Sequence, residues 1–164
     1  MDKVARHLQT HALGLSPSTE RDYFGRSAFN RYYYAMFLET RAMLKGLNPD
    51  WGLLPHKSYP ELLRGTICRE FDKGRHKAVK AKDQELIISC GKALAAAKSL
   101  ATLMEIGYGI RTIADYSPEI EVIFLGGDRF SLTSVNITDA HNWTSKARAF
   151  CAAIRNTWTQ VRGF

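Results

Sequence analysis

Ser27-Ala28-Phe29-Asn30-Arg31-Tyr32-Tyr33-Tyr34-Ala35-Met36-Phe37 decides how this chain is read. It lies inside a long expected helix, and it places an arginine and an asparagine beside consecutive tyrosines. A helix that only packed a core would carry Leu, Ile and Ala here. Polar tips on a packed face cost free energy unless each finds a partner. The helix therefore either builds a buried polar network or lines a polar site.

Working outward, Ser18 is the expected N-cap, with Glu20 and Asp22 in the first turn. The helix should run to about Lys45, where Gly46 and then Asn48-Pro49 end it. It is apolar nearly all the way round from Tyr23 to Leu44, as a central helix with neighbours on more than one side would be. Upstream, residues 2–13 read as a first helix stopped by Gly14 and Pro17. Downstream, 47–57 read as a loop carrying Trp51 and His56. Ser58, with Pro60 in the first turn, starts a third helix through Leu62, Leu63, Ile67 and Phe71.

The stretch 73–82 shows no apolar face and reads as an exposed basic connector. From about Asp83 a fourth helix should run to around Ile113. Cys90, Leu94, Ala97, Ala101, Met104 and Tyr108 recur at alternating steps of four and three, a core-facing stripe. Arg111 continues that stripe, Asp115 follows one turn later, and Pro118 forbids much further helix. Gly107 and Gly109 interrupt the helix, which a close approach of a neighbouring helix explains most simply.

Glu121–Leu125 and Arg129–Val135, joined by Gly126-Gly127-Asp128, read as a two-strand hairpin. An isolated hairpin is marginal in water, so it must lean on the helices. Thr138 or Asp139 should cap a last helix containing Trp143, Ala147, Phe150, Ile154 and Trp158. The expected fold is all-α: an antiparallel bundle of about five helices, with a small β-hairpin inserted before the last, in a single domain over 1–164.

Composition fits that reading. The chain has 164 residues, 45% of them hydrophobic and 24% charged, as in ordinary water-soluble domains. No uninterrupted apolar run approaches bilayer length, and the first residues lack the apolar stretch of a secretion signal, so a cytoplasmic protein without membrane contact is expected. Cys68, Cys90 and Cys151 are odd in number and widely spaced, which points to reduced, mostly buried thiols. No His, Cys or carboxylate pair has metal-ligand spacing and no glycine-rich phosphate loop is present, so neither metal nor cofactor is expected. The net charge of +7 favours anionic partners such as RNA or nucleotides, although solubility alone also accounts for it.

Lys73, Arg75 and Lys77 in the basic stretch are candidate contacts to an RNA backbone, or else a solvated loop. Arg31 either reaches a polar site beside Arg111, with Asn30 as hydrogen-bonding neighbour, or pairs with Asp115 or Glu39 inside the bundle. Tyr32, Tyr33 and Tyr34 spread over about 200° of the helix and cannot all face one way.

Ser27 to Phe37 resembles the S-x-x-R-x-Y-Y-A-x-F helix of HEPN-domain proteins. Arg111-Thr-Ile-Ala-Asp115-Tyr116 resembles the R-x-x-A-D-Y segment of one HEPN branch, and His56-Lys57-Ser58 sits where that branch carries an H-K-x stretch. The ordered trio covers roughly residues 20–116. It implies a small helical domain that dimerises, and a metal-independent endoribonuclease or RNA-binding effector of bacterial defence or toxin–antitoxin systems. Small chains of this family often work beside a cognate protein, such as a nucleotidyltransferase antitoxin or a larger defence protein. In active members an R-x4-6-H motif holds the scissile phosphate with its arginine and handles a proton with its histidine. Arg111 matches that arginine, but Tyr116 stands where the histidine belongs. Tyrosine is a poor general base at neutral pH, so Asp115 is the other candidate for that role. The resemblance thus implies a catalytic or binding set of Arg111, Asp115 and Tyr116, with Arg31 and Asn30 completing it. A non-catalytic module that binds RNA, a nucleotide or a partner protein is the alternative. Arg6-x4-His11 and Arg69-x6-His76 fit the same spacing but lie elsewhere in the chain, and are read as coincidence.

Overall fold

The structure, a computed structural model, describes residues 1–163. It is all-α, with a small antiparallel sheet before the last helix. Helix α1 covers Asp2–Gly14 and α2 covers Thr19–Leu47. Ser18 caps α2 as its sequence suggests, its Oγ accepting from the Arg21 amide at 3.2 Å. Short 3-10 turns at Pro49–Leu53 and His56–Ser58 lead into α3, Tyr59–Leu62. A π-helical turn at Leu63–Ile67 joins α3 to α4, Cys68–Ala81. Helix α5 covers Gln84–Tyr116, and Asp83 caps it by accepting from the Leu86 amide at 3.0 Å. Strands β1 (Ile123–Gly126), β2 (Arg129–Leu132) and β3 (Val135–Asn136) precede α6, Ile137–His141, and α7, Trp143–Arg162.

Two compact units can be told apart: Met1–Phe37 with Ile106–Ser145, and Leu38–Glu105 with the chain from Lys146. In the first, the sheet leans on α2 as an isolated hairpin must. Phe130 packs edge-on against Phe29 at 5.7 Å between ring centres, and Phe124 lies 4.9 Å from Phe130. A Cβ on Gly25 would sit 3.2 Å from Val122, so that glycine lets the chain entering the sheet lie close on α2. Gly126 and Gly127 turn the hairpin at positive φ of 82° and 60°. In the second unit, Trp158 of α7 meets Trp51 at 5.6 Å and Phe71 at 5.9 Å.

The structure corrects the sequence reading at four places. Residues 73–81 are not a connector loop but the end of α4, and only Lys82, at φ 59°, turns the chain. The missing apolar face is there in small residues: Gly74 and Ala78 continue the buried line of Cys68 and Phe71. Gly74 is a contact point, since a Cβ there would lie 2.6 Å from Val161. The hairpin continues into a third strand, with Ser131 opposite Asn136 and Leu132 opposite Val135. Thr138 and Asp139 cap nothing: both lie within the separate short helix α6. The buried stripe of α5 runs through Cys90, Ala93, Ala97, Leu100, Met104, Gly107 and Ala114, with Leu94 and Tyr108 on its margin. By length and composition α5 would be able to cross a membrane, which no uninterrupted apolar run in the sequence revealed; the core helix of a water-soluble protein meets the same criterion. The three cysteines are free and buried, and burial pushes the Cys151 thiol up to about 12.

Candidate functional site

The site is built in the first unit from one face of α2 and the last turns of α5. Asn30 and Tyr34 stand one helical turn apart on α2. Arg111, on the continuation of the buried stripe, and Asp115 stand one turn apart on α5, and Tyr116 ends that helix.

These residues meet. Asn30 Nδ2 donates to Asp115 Oδ1 at 2.5 Å, and Arg111 Nε lies 3.0 Å from Asp115 Oδ2. Tyr34 and Tyr116 also favour the Arg111 charge, and its guanidinium carbon sits 5.4 Å from the centre of the Tyr116 ring. Burial works against the Arg111 charge, but Tyr34, Asp115 and Tyr116 more than offset it and hold its pKa above the ordinary arginine value. The arginine is mostly sheltered, with 19% of its side chain exposed, while Tyr116 is 68% exposed. The cluster is incompletely satisfied. Asn30 Oδ1 is buried without a hydrogen-bond partner, and Arg111 Nε faces Asp115 as a charge contact without hydrogen-bond alignment. Unpaired buried polar atoms are uncommon in folded proteins and mark places where water or a ligand group can bind.

A cavity of about 580 Å³ adjoins Asp115, with Ser18, Arg21, Tyr23 and Phe124 among its walls. Its size falls in the range of small-ligand pockets. Arg21 sits over Phe124, its guanidinium carbon 3.7 Å from the ring centre, and donates to the Ala12 carbonyl at 3.2 Å.

Arg111, Asp115, Tyr116 and Asn30 are therefore brought together, and Arg31 is not. Arg31 is exposed and forms no hydrogen bond or ion pair among the described residues. It lies about 100° around the helix from Asn30. Both carboxylates considered for it are taken, Asp115 by Arg111 and Glu39 by Arg148. Lys73, Arg75 and Lys77 belong to the other unit, exposed on α4, where Lys73 pairs with Glu70 at 2.7 Å.

The buried arginine is Arg26, which the sequence reading missed. It is 7% exposed. Its Nε bonds Asp22, and its terminal nitrogens donate to the carbonyls of Ile113, Ala114, Ser117, Pro118 and Ile120. Those carbonyls end α5 and begin the path to β1, where intrahelical donors run out. Asp22 completes the clamp by accepting from the Val122 amide at 2.7 Å. An Asp–Arg pair one turn apart on an otherwise apolar face was the available signal.

The chain matches no family model, no curated protein and no solved structure.

Proposed function

We propose that this chain is a HEPN-type module that acts on RNA in a bacterial defence or toxin–antitoxin setting, binding it at the Arg111 cluster and the adjoining cavity. The observation that supports this most is the meeting of Asn30 and Tyr34 with Arg111, Asp115 and Tyr116 in one half-open polar cluster. The two sequence segments that carry the resemblance thus meet in one cluster. Exposed Tyr116 and Tyr23, at 68% and 62%, offer aromatic faces to unpaired bases, which stack on such rings irrespective of sequence.

Binding is favoured over cutting because Asp115 neutralises Arg111, and the partners of Arg111 are Tyr34, Asp115 and Tyr116, with no histidine among them to serve as base. The proposal includes a homodimer joined across this face, which brings a second Arg111 to the RNA. It extends, by resemblance, to a cognate protein partner and a cytoplasmic setting. A second reading, a metal-independent endoribonuclease, is favoured by one observation: Tyr116 lies beside Arg111, its ring centre 5.4 Å from the guanidinium carbon, and is 68% exposed, so that its hydroxyl could donate a proton to a leaving oxygen.

Incubating purified protein with total cellular RNA, tRNA included and metal chelated, tests both readings. The proposal expects RNA to be retained by the protein at unchanged length, and retention to fall in Arg111→Ala. Cleavage by wild type that is lost in Arg111→Ala and Tyr116→Phe establishes the second reading. RNA neither retained nor cut contradicts both.

A further inference from the structure

The net charge of +7 is unevenly placed. The first unit, which holds the Arg111 cluster, carries 7 Lys and Arg against 8 Asp and Glu. The second carries 16 against 8, so the whole positive excess lies there. Within it, cations gather on α4 and α7. Arg69, Lys73, Lys77 and Lys80 follow at steps of four, four and three. That keeps them on one exposed face of α4, opposite the buried line through Phe71, Gly74 and Ala78. Arg155 and Arg162 stand seven residues apart on one edge of α7, a helix with no Asp or Glu. Arg148, seven residues further back, is taken by Glu39. The two helices touch directly, since a Cβ on Gly74 would lie 2.6 Å from Val161. Their cations therefore share a surface. Lys73, Lys77 and Arg162 line one small cleft, and Glu70 is the one carboxylate among the described residues that line it. The Lys73 hydrogen bond, then the charges of Arg162 and Arg69, hold the Glu70 carboxyl below its ordinary range. Arg69, Lys80 and Arg155 form no hydrogen bond or ion pair among the described residues.

We propose that the α4–α7 face is a track for the phosphodiester backbone of a nucleic-acid duplex, separate from the Arg111 cluster. Its length fits a backbone. Arg69 to Lys80 spans about 16 Å of helix axis, which faces about five phosphates of one strand. Its charge is available, because Arg69, Lys80 and Arg155 have no internal pair to break and Lys73 has only the exposed Glu70. Its chemistry reads backbone and not bases. Phe71 and Trp158 are buried, and no residue of α4 or α7 exposes an aromatic ring on which an unpaired base would stack. A duplex keeps its bases stacked inside and its phosphates outside, so a face of cations without aromatics is matched to it. A lipid surface fits less well, because a helix that lies in one buries large apolar side chains beside its cations. The cation face of α4 has none: Val79, exposed on that helix, is turned about 100° from Lys80. Arg75, two residues from both Lys73 and Lys77, is about 160° round the helix from either and lies outside the track.

Anisotropy of a labelled blunt RNA duplex of about 20 base pairs, titrated with the full chain at several salt concentrations, tests this. Affinity should fall with salt on a log–log slope of about −3 or steeper. The triple variant Arg69→Gln, Lys80→Gln, Arg155→Gln should bind at least about tenfold more weakly at low salt, with the slope flattened by about 2–3. A second triple variant, Lys57→Gln, Lys92→Gln, Lys98→Gln, removes the same charge from exposed positions elsewhere in the unit and should change affinity less than about threefold. Glutamine is a good helix former, so circular dichroism should show both variants folded. A DNA duplex of the same length is titrated alongside. Tighter binding of RNA identifies the A-form backbone as the ligand, and tighter binding of DNA the B-form. Arg111→Ala should not weaken duplex binding, so this inference and the single-strand proposal fail separately. No duplex binding at micromolar protein and about 50 mM salt, or equal weakening by the two triple variants, overturns the inference. So does binding to phosphatidylserine vesicles that is lost in the first triple variant, by protein that leaves both duplexes free.

Discussion

Asn30 and Asp115, 85 positions apart in the chain, share a 2.5 Å hydrogen bond. That bond and the Arg111–Asp115 ion pair make one carboxylate the hub of the cluster. Asp115→Asn keeps the shape and removes the charge. The freed Arg111 should then raise affinity for single-stranded RNA several-fold, and the salt dependence of binding should steepen by about one phosphate contact. Fluorescence anisotropy against salt concentration measures both; unchanged affinity would mean that Arg111 does not face the RNA.

Arg26 should be the most costly polar residue to lose. Arg26→Ala leaves Asp22 without its cation and several carbonyls at the end of α5 without donors. Breaking one side of a buried ion pair costs about 3–5 kcal/mol. Arg26→Lys should recover little, because an ammonium cannot spread over carbonyls as the planar guanidinium does. Urea denaturation followed by circular dichroism gives the values.

Two glycines two positions apart, Gly107 and Gly109, should respond with opposite sign. A Cβ on Gly107 would lie 2.6 Å from Met36 Cε and 3.1 Å from Tyr33, while at Gly109 nothing lies within 4 Å. Gly107→Ala should destabilise by about 1–3 kcal/mol, moderated by the flexible Met36 tip. Gly109→Ala should stabilise by about 0.5–1 kcal/mol through helix propensity. Thermal melting of the two variants shows whether the signs differ.

Stability should fall in alkali. The Cys151 thiol is raised from 9.0 to about 12, chiefly by burial, and the Tyr32 hydroxyl from 10.0 to about 12. Both groups are neutral when protonated, and the unfolded chain deprotonates first. Their contribution is therefore whole below about pH 9 and is lost as pH rises from there towards about 12. Cys151→Ala should reduce the loss that begins near about pH 9 without abolishing it, because burial also raises the Cys68 and Cys90 thiols, and Tyr32 adds to it from about pH 10. Urea midpoints measured across the range check this. A loss of unchanged size in Cys151→Ala would assign it to other groups.

Much of this was legible in the residues. Ser18, Asp83 and the paired glycines 126 and 127 announce their turns by standard chemistry, and the step pattern of α5 carries Arg111 to the margin of the packed face. Two features were hidden by size and phase. The packed face of α4 is written in Cys68, Gly74 and Ala78, so a search for large apolar residues passes over it, and the Gly74 contact is hidden because Val161 is not its neighbour in sequence. Arg31 drew attention because it sits in the tyrosine run, but one residue of helix is about 100°, which turns it to solvent while Asn30 faces α5. Arg26, at a buried phase of the same helix, was the arginine to follow. The third strand and the break between α6 and α7 have no strong local signal, being two residues and one residue long.

Anisotropy of a fluorescently labelled single-stranded RNA, titrated at fixed moderate salt with wild type, Arg111→Ala and Tyr116→Ala, tests the central claim most directly. The account predicts saturable binding by wild type. It predicts a loss of about 1–3 kcal/mol in Tyr116→Ala through lost stacking, and at least about tenfold weaker binding in Arg111→Ala. Wild-type protein that fails to bind, or both folded variants binding as wild type does, would contradict it.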